Sequence, residues 1–349
     1  MSSKKTGIRD FLLYCSTMDF GKGELSKNES DFCRRFSKEI ISLCRSLPES
    51  VRTNSMLFVM QYSGVMPGDE LDFFANYYPP AWSILYWLSH ADSLPTERLT
   101  DRDVANAVTA QSMAMFLHSL DDHLTDGQVS VSALTLLLRS QAWTLMNRAF
   151  RTMAGRVPAG RKTVRRFIDE YYASMQDSNG LKSLDDYCER FRRQMAIGMI
   201  APILLCMKMT GMSDFTRDIE LAYGSFGIAW RLLDDIRDIG EDIETGSHSA
   251  LYLCLPQKVR NRWNRHGMRS RAAAEDATHA ILDHILEHLL IDKIKERICA
   301  ELETAASLAE AHNITGFARE FRRLAHPLEK SGNTEEEDNG KWEIVPPSK

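Results

Sequence analysis

The chain has 349 residues, of which 44% are hydrophobic, and its formal net charge is −5. That length allows one large or two ordinary domains around a substantial core, and the mildly acidic charge argues against a nucleic-acid partner. The seven cysteines form no Cys-x-x-Cys pair, which is typical of reduced packing residues in a cytosolic protein.

The sequence shows neither a convincing signal peptide nor a membrane-spanning run, and both observations indicate where the protein is located. The start of the chain is a poor signal peptide, because Arg9 and Asp10 interrupt its apolar stretch. No apolar run reaches the roughly 18 residues needed to span a bilayer. We therefore expect a cytoplasmic protein without stable membrane insertion.

The predicted elements, taken in chain order, are all helical. Residues 7–50 read as short amphipathic helices, and the apolar run 81–88 follows Pro79 and Pro80, residues favoured in a first helical turn. Asp101 opens the next helix. The later helical patterns cover 131–153, 162–175, 187–209, 214–238, 272–290, 294–311 and 317–328, with a break at Asn179-Gly180.

The absence of alternating strand patterns, fixed-period repeats and linkers predicts a single all-α domain. We divide the chain into an N-terminal helical extension (1–50), a helical domain (51–330) and a charged tail (331–349) that we expect to be disordered. Gly224 and Gly227 inside a predicted helix cost about 1 kcal/mol each relative to alanine. They indicate a close approach of another helix or a ligand.

Two acidic clusters close two of the long helices. Each contains three aspartates: Asp121, Asp122 and Asp126 in the first, and Asp234, Asp235 and Asp238 in the second. Residues four apart share a helix face, so each cluster stacks carboxylates. Burying them is costly without positive charge, and Mg²⁺ prefers such oxygen ligands while leaving coordination sites for a substrate phosphate. The pattern predicts two clusters that face one cavity and hold a diphosphate through magnesium.

Other interpretations of these clusters are weaker. A single aspartate-rich string is as often the solvated end of a helix as a functional motif. Two such strings that each close an apolar helix are much less often a coincidence. A di-iron carboxylate bundle needs Glu-x-x-His pairs, and the sequence contains none. His118 and His123 beside the first cluster are better explained as packing residues, because magnesium prefers oxygen.

With these clusters, the chain resembles the class I isoprenoid synthases, the trans-prenyltransferases and terpene cyclases that share an all-helical fold. The resemblance covers most of residues 50–330 and implies a helical bundle around a central cavity. It implies that the six aspartates bind three Mg²⁺ ions, which hold and ionise an allylic prenyl diphosphate, with Asp121, Asp122 and Asp234 essential to catalysis. It also implies diphosphate contacts from Arg231, Arg237 and His248, the last in a stretch (239–250) similar to a family loop. The partners expected are the small-molecule substrate and a second copy of the chain in a homodimer.

An ionised prenyl chain needs an unreactive wall, and aromatic faces stabilise positive charge. The candidates for that wall are Trp82, Tyr86, Phe116 and Trp230, although each is more often plain core. Leu117, Ala114 and Ala110, below the first cluster, are candidates for the cavity floor.

The departures from the family pattern favour one branch. The elongating enzymes' Gly-Gly-Lys-x-x-Arg-Pro stretch has its closest match at residues 74–82, where the basic residues are neutral, and the Arg-Arg-Gly after the first motif is absent. Without those cations a second diphosphate would be poorly neutralised. We therefore expect a terpene synthase that cyclises or rearranges geranyl, farnesyl, geranylgeranyl or longer diphosphate.

Residues 187–198 resemble the terpene-cyclase stretch in which an arginine senses the diphosphate, which implies Arg193 as sensor and Gly198 at a helix break. A solvated arginine face explains the same residues equally well. The second motif has the prenyltransferase form, so a polyprenyl diphosphate synthase remains the alternative. A non-catalytic regulatory subunit of such a synthase is the third hypothesis.

Overall fold

The computed structural model describes residues 2–66, 68–75, 77–90, 98–176, 181–264 and 271–330. Within these ranges the chain forms sixteen α-helices and no strand, which confirms the predicted all-α fold. The helices are α1 (Ser2–Thr17), α2 (Lys27–Ser46), α3 (Glu49–Tyr62), α4 (Pro80–Ser89), α5 (Asp101–Thr125), α6 (Ala133–Ala154), α7 (Gly160–Gln176), α8 (Leu184–Gln194), α9 (Ala196–Thr210), α10 (Asp214–Arg237), α11 (Ile239–Thr245), α12 (Ala250–Cys254), α13 (Gln257–Trp263), α14 (Arg271–Glu287), α15 (Leu290–Ala311) and α16 (Thr315–Lys330). The predicted break at Asn179-Gly180 and the predicted disordered tail lie outside the described residues.

The two helices that end in aspartates, α5 and α10, are the central elements. α5 packs on α6, α9 and α2, while α10 packs on α15, α9 and α8. A single buried core surrounds both helices, and the seven cysteines are free and at least half-buried within it. In the described part of the chain, no helix is long and apolar enough to cross a membrane.

The segment predicted as an extension packs into this same core. Phe36 of α2 is fully buried, and its ring lies 5.6 Å from that of Phe74 and 6.3 Å from that of Trp82. α2 begins at a capping box, in which Ser26 accepts a hydrogen bond from the Glu29 backbone and the Glu29 carboxylate accepts one from the Ser26 backbone.

The lower end of α5, far from its aspartates, is anchored by a buried ion cluster. Thr100 and Asp103 form the capping box that begins the helix. Asp103 is only 3% exposed, and its carboxylate also lies 2.6 Å from Lys208 Nζ of α9 and 3.2 Å from Arg156 Nη1. These charge-assisted contacts join the start of α5 to the end of α9 and to Arg156, which follows the end of α6.

A buried carboxyl group joins α4 to α16. Glu320 is 8% exposed and accepts hydrogen bonds from Ser83 Oγ at 2.5 Å and from Trp87 Nε1 at 2.7 Å. Trp87 also covers Gly316, where a Cβ atom would lie 2.1 Å from the indole ring. Burial raises the pKa of Glu320 to about 7.

The predicted helical pattern 187–209 forms two helices, and the break between them lies three residues before the position that the resemblance implied. The helix breaks at Met195, between α8 and α9, and Gly198 lies inside the first turn of α9 instead of at the break. Met195 presses against α10, where a Cβ atom at Gly227 would lie 2.4 Å from Met195 Cγ. At Gly224 a Cβ atom would lie 3.0 Å from Arg192 Cγ, so both glycines do serve a close helix approach.

Candidate active site

A cavity of about 1030 Å³ lies between α5 and α10 and opens at their C-terminal ends. Four of the six predicted aspartates line it: Asp122 and Asp126 from α5, and Asp234 and Asp238 from α10. Each helix presents its pair at a spacing of four residues, which places both carboxylates on the cavity face. The structure thus brings members of the two clusters to the same opening.

Asp121, the first aspartate of its cluster, does not line the cavity. Its Oδ1 and Oδ2 accept hydrogen bonds from Arg139 Nε at 2.6 Å and from Arg139 Nη2 at 2.8 Å. This paired geometry makes strong use of both carboxylate oxygens. A metal ion at Asp121 would therefore share these oxygens with Arg139 or displace it.

Asp235 is also absent from the cavity wall, because its side chain is 1% exposed. It receives three contacts: Tyr187 Oη at 3.0 Å, Arg231 Nε at 3.0 Å and the Ala250 backbone N–H at 2.8 Å. These partners come from α8, α10 and α12. Asp235 thus fixes the positions of the helices around the mouth.

Sequence reasoning missed two acids that line the mouth, Glu241 and Asp242 of α11. Asp242 Oδ2 is buried and has no hydrogen-bond partner among the described residues. Burial and the nearby Asp235 raise the pKa of Asp242 to about 7. A signal was present in the sequence, since 234, 238 and 242 continue a four-residue spacing on one helix face.

The electrostatics of the mouth favour a bound cation. Burial raises the pKa of Asp126, Asp234 and Asp238, and neighbouring carboxylates raise it further. No three His, Cys, Asp or Glu side chains in the described ranges already converge as a metal site. The donor set nevertheless fits Mg²⁺, which accepts one or two protein carboxylates and completes its shell with water and phosphate. The unpartnered Asp242 oxygen is a further available ligand.

Three arginines line the cavity in the described part of the chain: Arg190, Arg231 and Arg260. Arg190 Nε donates to the Ser174 carbonyl at 3.0 Å, Arg231 pairs with Asp235, and Arg260 donates to the Leu253 and Leu255 carbonyls. All three come from α8, α10 and α13, on one side of the opening.

The predicted diphosphate contacts divide into two groups. Arg231 and His248 line the cavity, and the His248 ring stacks on Tyr252 with centroids 4.0 Å apart. Arg193 and Arg237 do not line it. Arg237 Nη1 lies 3.4 Å from Tyr78 Oη, whereas Arg193 Nε is buried with no hydrogen-bond partner in the described ranges.

Comparisons with known proteins bear on this arrangement. No protein-family model matches the sequence, and no curated protein matches it either. Solved structures do match over most of the chain. A geranylgeranyl pyrophosphate synthetase from Geoglobus acetivorans is 15% identical, with a TM-score of 0.59 over 86% of this chain and 96% of that one. A polyprenyl synthetase from Streptomyces coelicolor is 13% identical, with a TM-score of 0.60 over 86% and 99%. A decaprenyl diphosphate synthase from Rhodobacter capsulatus is 11% identical, with a TM-score of 0.60 over 87% and 98%.

The chain has the class I isoprenoid synthase fold. At these identities the similarity establishes the architecture, a helical bundle around a central cavity. The prediction of this fold from the two acidic clusters is therefore confirmed.

Within the isoprenoid synthase fold, the lower part of the cavity is largely apolar. Of the four aromatic residues predicted for the wall, only Trp230 lines it. Trp82, Tyr86 and Phe116 are buried in the core, where Phe116 faces Phe73. The other lining residues of this part are Tyr77, Ala81, Ala114, Met115, Phe191, Met195, Ile197, Gly198 and Tyr223, with Gln194 as a polar exception.

The predicted floor residues are placed at two depths. Ala114 lines the cavity, whereas Leu117 and Ala110 are buried behind its wall. Ala110, Ala114, His118 and Asp122 share one helix face at four-residue spacing, so Ala110 lies one turn below Ala114, whereas Leu117 is turned away from that face.

Proposed function

We propose that this protein is an enzyme that ionises an allylic prenyl diphosphate, with the diphosphate bound at the acidic mouth and the hydrocarbon chain in the apolar cavity below. One observation carries the proposal: carboxylates from both clusters line the opening of a single cavity whose deeper wall is apolar. Water-excluding walls strengthen the electrostatic interactions that stabilise a leaving diphosphate.

The roles of the residues follow from their positions. Asp122, Asp126, Asp234 and Asp238, with Asp242, are the proposed ligands of Mg²⁺, which would neutralise charge on the departing diphosphate. Asp235 positions Arg231 and Tyr187 at the mouth. Arg190, Arg231 and His248 are the proposed cationic contacts to the diphosphate, and Trp230 presents an aromatic ring to the chain.

The fold similarity supports the prenyltransferase reaction, in which the ionised chain condenses with a second prenyl unit. The neighbours named above are synthases of prenyl diphosphates, and they match along almost their whole length. This reaction is our first candidate.

One observation favours cyclisation or rearrangement as a second candidate. In the described ranges, no lysine or arginine lines the cavity from α4, α5 or the segment before α4. The three lining arginines all lie on the opposite side. A second diphosphate on the α4 side would therefore meet no cavity-lining lysine or arginine of that side in the described ranges, and burying it there is costly.

The two candidates differ in what they need as substrates. The full-length protein is incubated with Mg²⁺ and geranyl, farnesyl or geranylgeranyl diphosphate, each with and without isopentenyl diphosphate. Released diphosphate is quantified, and organic extracts are resolved by gas chromatography. A prenyltransferase forms longer diphosphates only when isopentenyl diphosphate is present, whereas a cyclase forms hydrocarbons or alcohols without it.

A regulatory subunit is the third outcome of the same assay. It would give no diphosphate release with any substrate, with or without isopentenyl diphosphate. Chelation of Mg²⁺ by EDTA is the control, and release that persists after chelation would contradict the proposed role of the acidic mouth.

A further inference from the structure

The cavity ends below at a buried hydrogen-bond network between α4, α5 and α10. Gln111 Nε2 donates to the Ala81 carbonyl and to Tyr223 Oη, both at 3.0 Å. Tyr223 Oη in turn donates to the Ala81 carbonyl at 3.2 Å. Gln111 is fully buried and Tyr223 is 2% exposed, so the network is sealed from solvent.

Tyr223 and the atoms it contacts form the deepest surface of the cavity. Nothing on α5 before Ala114 lines the cavity, and nothing on α10 before Tyr223 does. On α9 the deepest lining residue is Gly198, where a Cβ atom would lie 3.4 Å from Tyr223 Oη. The floor is therefore the Tyr223 ring, held in place by Gln111.

The two members of the pair stand at the same depth. Gln111 precedes Asp122 by eleven residues on α5, and Tyr223 precedes Asp234 by eleven residues on α10. At 1.5 Å per residue, both lie about 16 Å below the acidic mouth. The hydrogen bond between them connects the two central helices across the bottom of the cavity.

We infer that the Gln111–Tyr223 pair limits the prenyl chain to three isoprene units, an inference that rests on the proposed function. Each unit adds four carbon–carbon bonds of about 1.5 Å, or about 5 Å of extended chain. Three units need about 15 Å and four units about 20 Å, against the depth of about 16 Å. The longest chain handled is then farnesyl, as the substrate of a cyclase or as the final product of a prenyltransferase.

The hydrogen bonds make this floor resistant to displacement. If Tyr223 moved aside, its hydroxyl group and Gln111 Nε2 would lose their partners in a dry environment, which is costly. Gln111 Oε1 already lacks a partner among the described residues, so the two Nε2 bonds are what holds the carboxamide. A fourth isoprene unit of an extended chain cannot pass Tyr223 without breaking this network.

The test uses two readouts on the full-length protein with Mg²⁺. The first is diphosphate release and product length across geranyl, farnesyl and geranylgeranyl diphosphate, each with and without isopentenyl diphosphate. The second is calorimetric binding of the unreactive thiolodiphosphate analogues of farnesyl and geranylgeranyl diphosphate. We expect the farnesyl analogue to bind at least tenfold more tightly, and no substrate or product with four units in the wild type.

Three variants separate the floor from general effects on folding. Tyr223→Ala removes the ring, so it should admit geranylgeranyl chains and reduce the binding ratio to about one. Tyr223→Phe keeps the ring but loses the hydrogen bonds that hold it in place, so its binding ratio should fall between those of the wild type and Tyr223→Ala. Ala114→Leu fills the cavity above the floor and should shorten the limit to two units, which tests the same geometry if Tyr223→Ala fails to fold.

The outcomes distinguish this inference from the proposed function. Turnover or binding of geranylgeranyl chains equal to that of farnesyl chains in the wild type would overturn the floor while leaving the function intact. An unchanged ratio in folded Tyr223→Ala, or an unchanged affinity of Ala114→Leu for the farnesyl analogue, would do the same. Selective binding of the farnesyl analogue without any turnover would keep the floor and overturn the proposed catalysis.

Discussion

Replacing Glu320 with glutamine tests whether a neutral carboxyl group joins α4 to α16. The carboxyl accepts hydrogen bonds from Ser83 and Trp87, and no cation makes an ion pair with it among the described residues. Glu29 of α2 adds negative charge nearby, and Arg323 only partly opposes it. Burial is the main reason that the pKa of Glu320 rises to about 7.

The effect of Glu320→Gln on the free energy of unfolding is determined by proton binding to Glu320. The folded protein holds the Glu320 proton more tightly than the unfolded chain, whose glutamate has a pKa of 4.5. Stability from this group is therefore complete below pH 4.5 and is lost as the pH rises to about 7. A difference of 2.5 pKa units, from 4.5 to about 7, corresponds to about 3 kcal/mol. Glutamine stays neutral at every pH, so Glu320→Gln should be more stable than the wild type at pH 8 by up to that amount.

The measurement is urea unfolding of both proteins at pH 5 and pH 8. We expect nearly equal free energies of unfolding at pH 5 and a clear advantage of Glu320→Gln at pH 8. Glu329→Gln, at an exposed position of the same helix, is the control and should show no such pH-dependent gain. An advantage that is absent at pH 8, or the same at both pH values, would refute the assignment of a neutral buried carboxyl group.

Three further predictions concern the mouth and the lower end of α5. Asp122→Asn and Asp234→Asn should each reduce diphosphate release about a hundredfold, whereas Asp214→Asn, whose side chain is 87% exposed on α10, should not; equal losses in all three would contradict the site. Arg190→Ala should raise the KM for the prenyl diphosphate about tenfold, a loss of about 1.4 kcal/mol, and more than Arg193→Ala does; the reverse order would return the sensing role to Arg193. Asp103→Ala should lower the free energy of unfolding by roughly 3 kcal/mol, because Lys208 loses a carboxylate in a buried setting. Burial alone would raise the pKa of Asp103, but hydrogen bonds from Lys208 and Thr100 lower it to about 2, so this stability should persist above about pH 4 and fade towards pH 2 in acid unfolding monitored by circular dichroism.

The sequence was sufficient to predict the helical class, the two central helices and the opening where their aspartates meet. These features depend on local rules: helix periodicity and the four-residue spacing within each cluster. α10 was predicted at 214–238 and is Asp214–Arg237.

The details that the sequence did not predict depend on contacts between distant segments. The spacing that placed Asp121 beside Asp122 could not show that Arg139 binds Asp121 from α6. Trp82 and Trp230 are both aromatic residues on helices that line the cavity. Trp82 packs against Phe36 in the core, whereas Trp230 lies on the cavity wall. Met195, at the break between α8 and α9, likewise contacts Gly227 of another helix.

The contact between Gly227 and Met195 has a consequence for how the cavity width can change. Met195 faces the cavity from one side and rests on Gly227 from the other, with no room for a methyl group between them. We expect a larger residue at position 227 to push the methionine inward and narrow the cavity, although position 227 itself does not line it. The width of the cavity can thus be tuned from behind its wall, because the flexible thioether side chain of Met195 transmits a change at position 227.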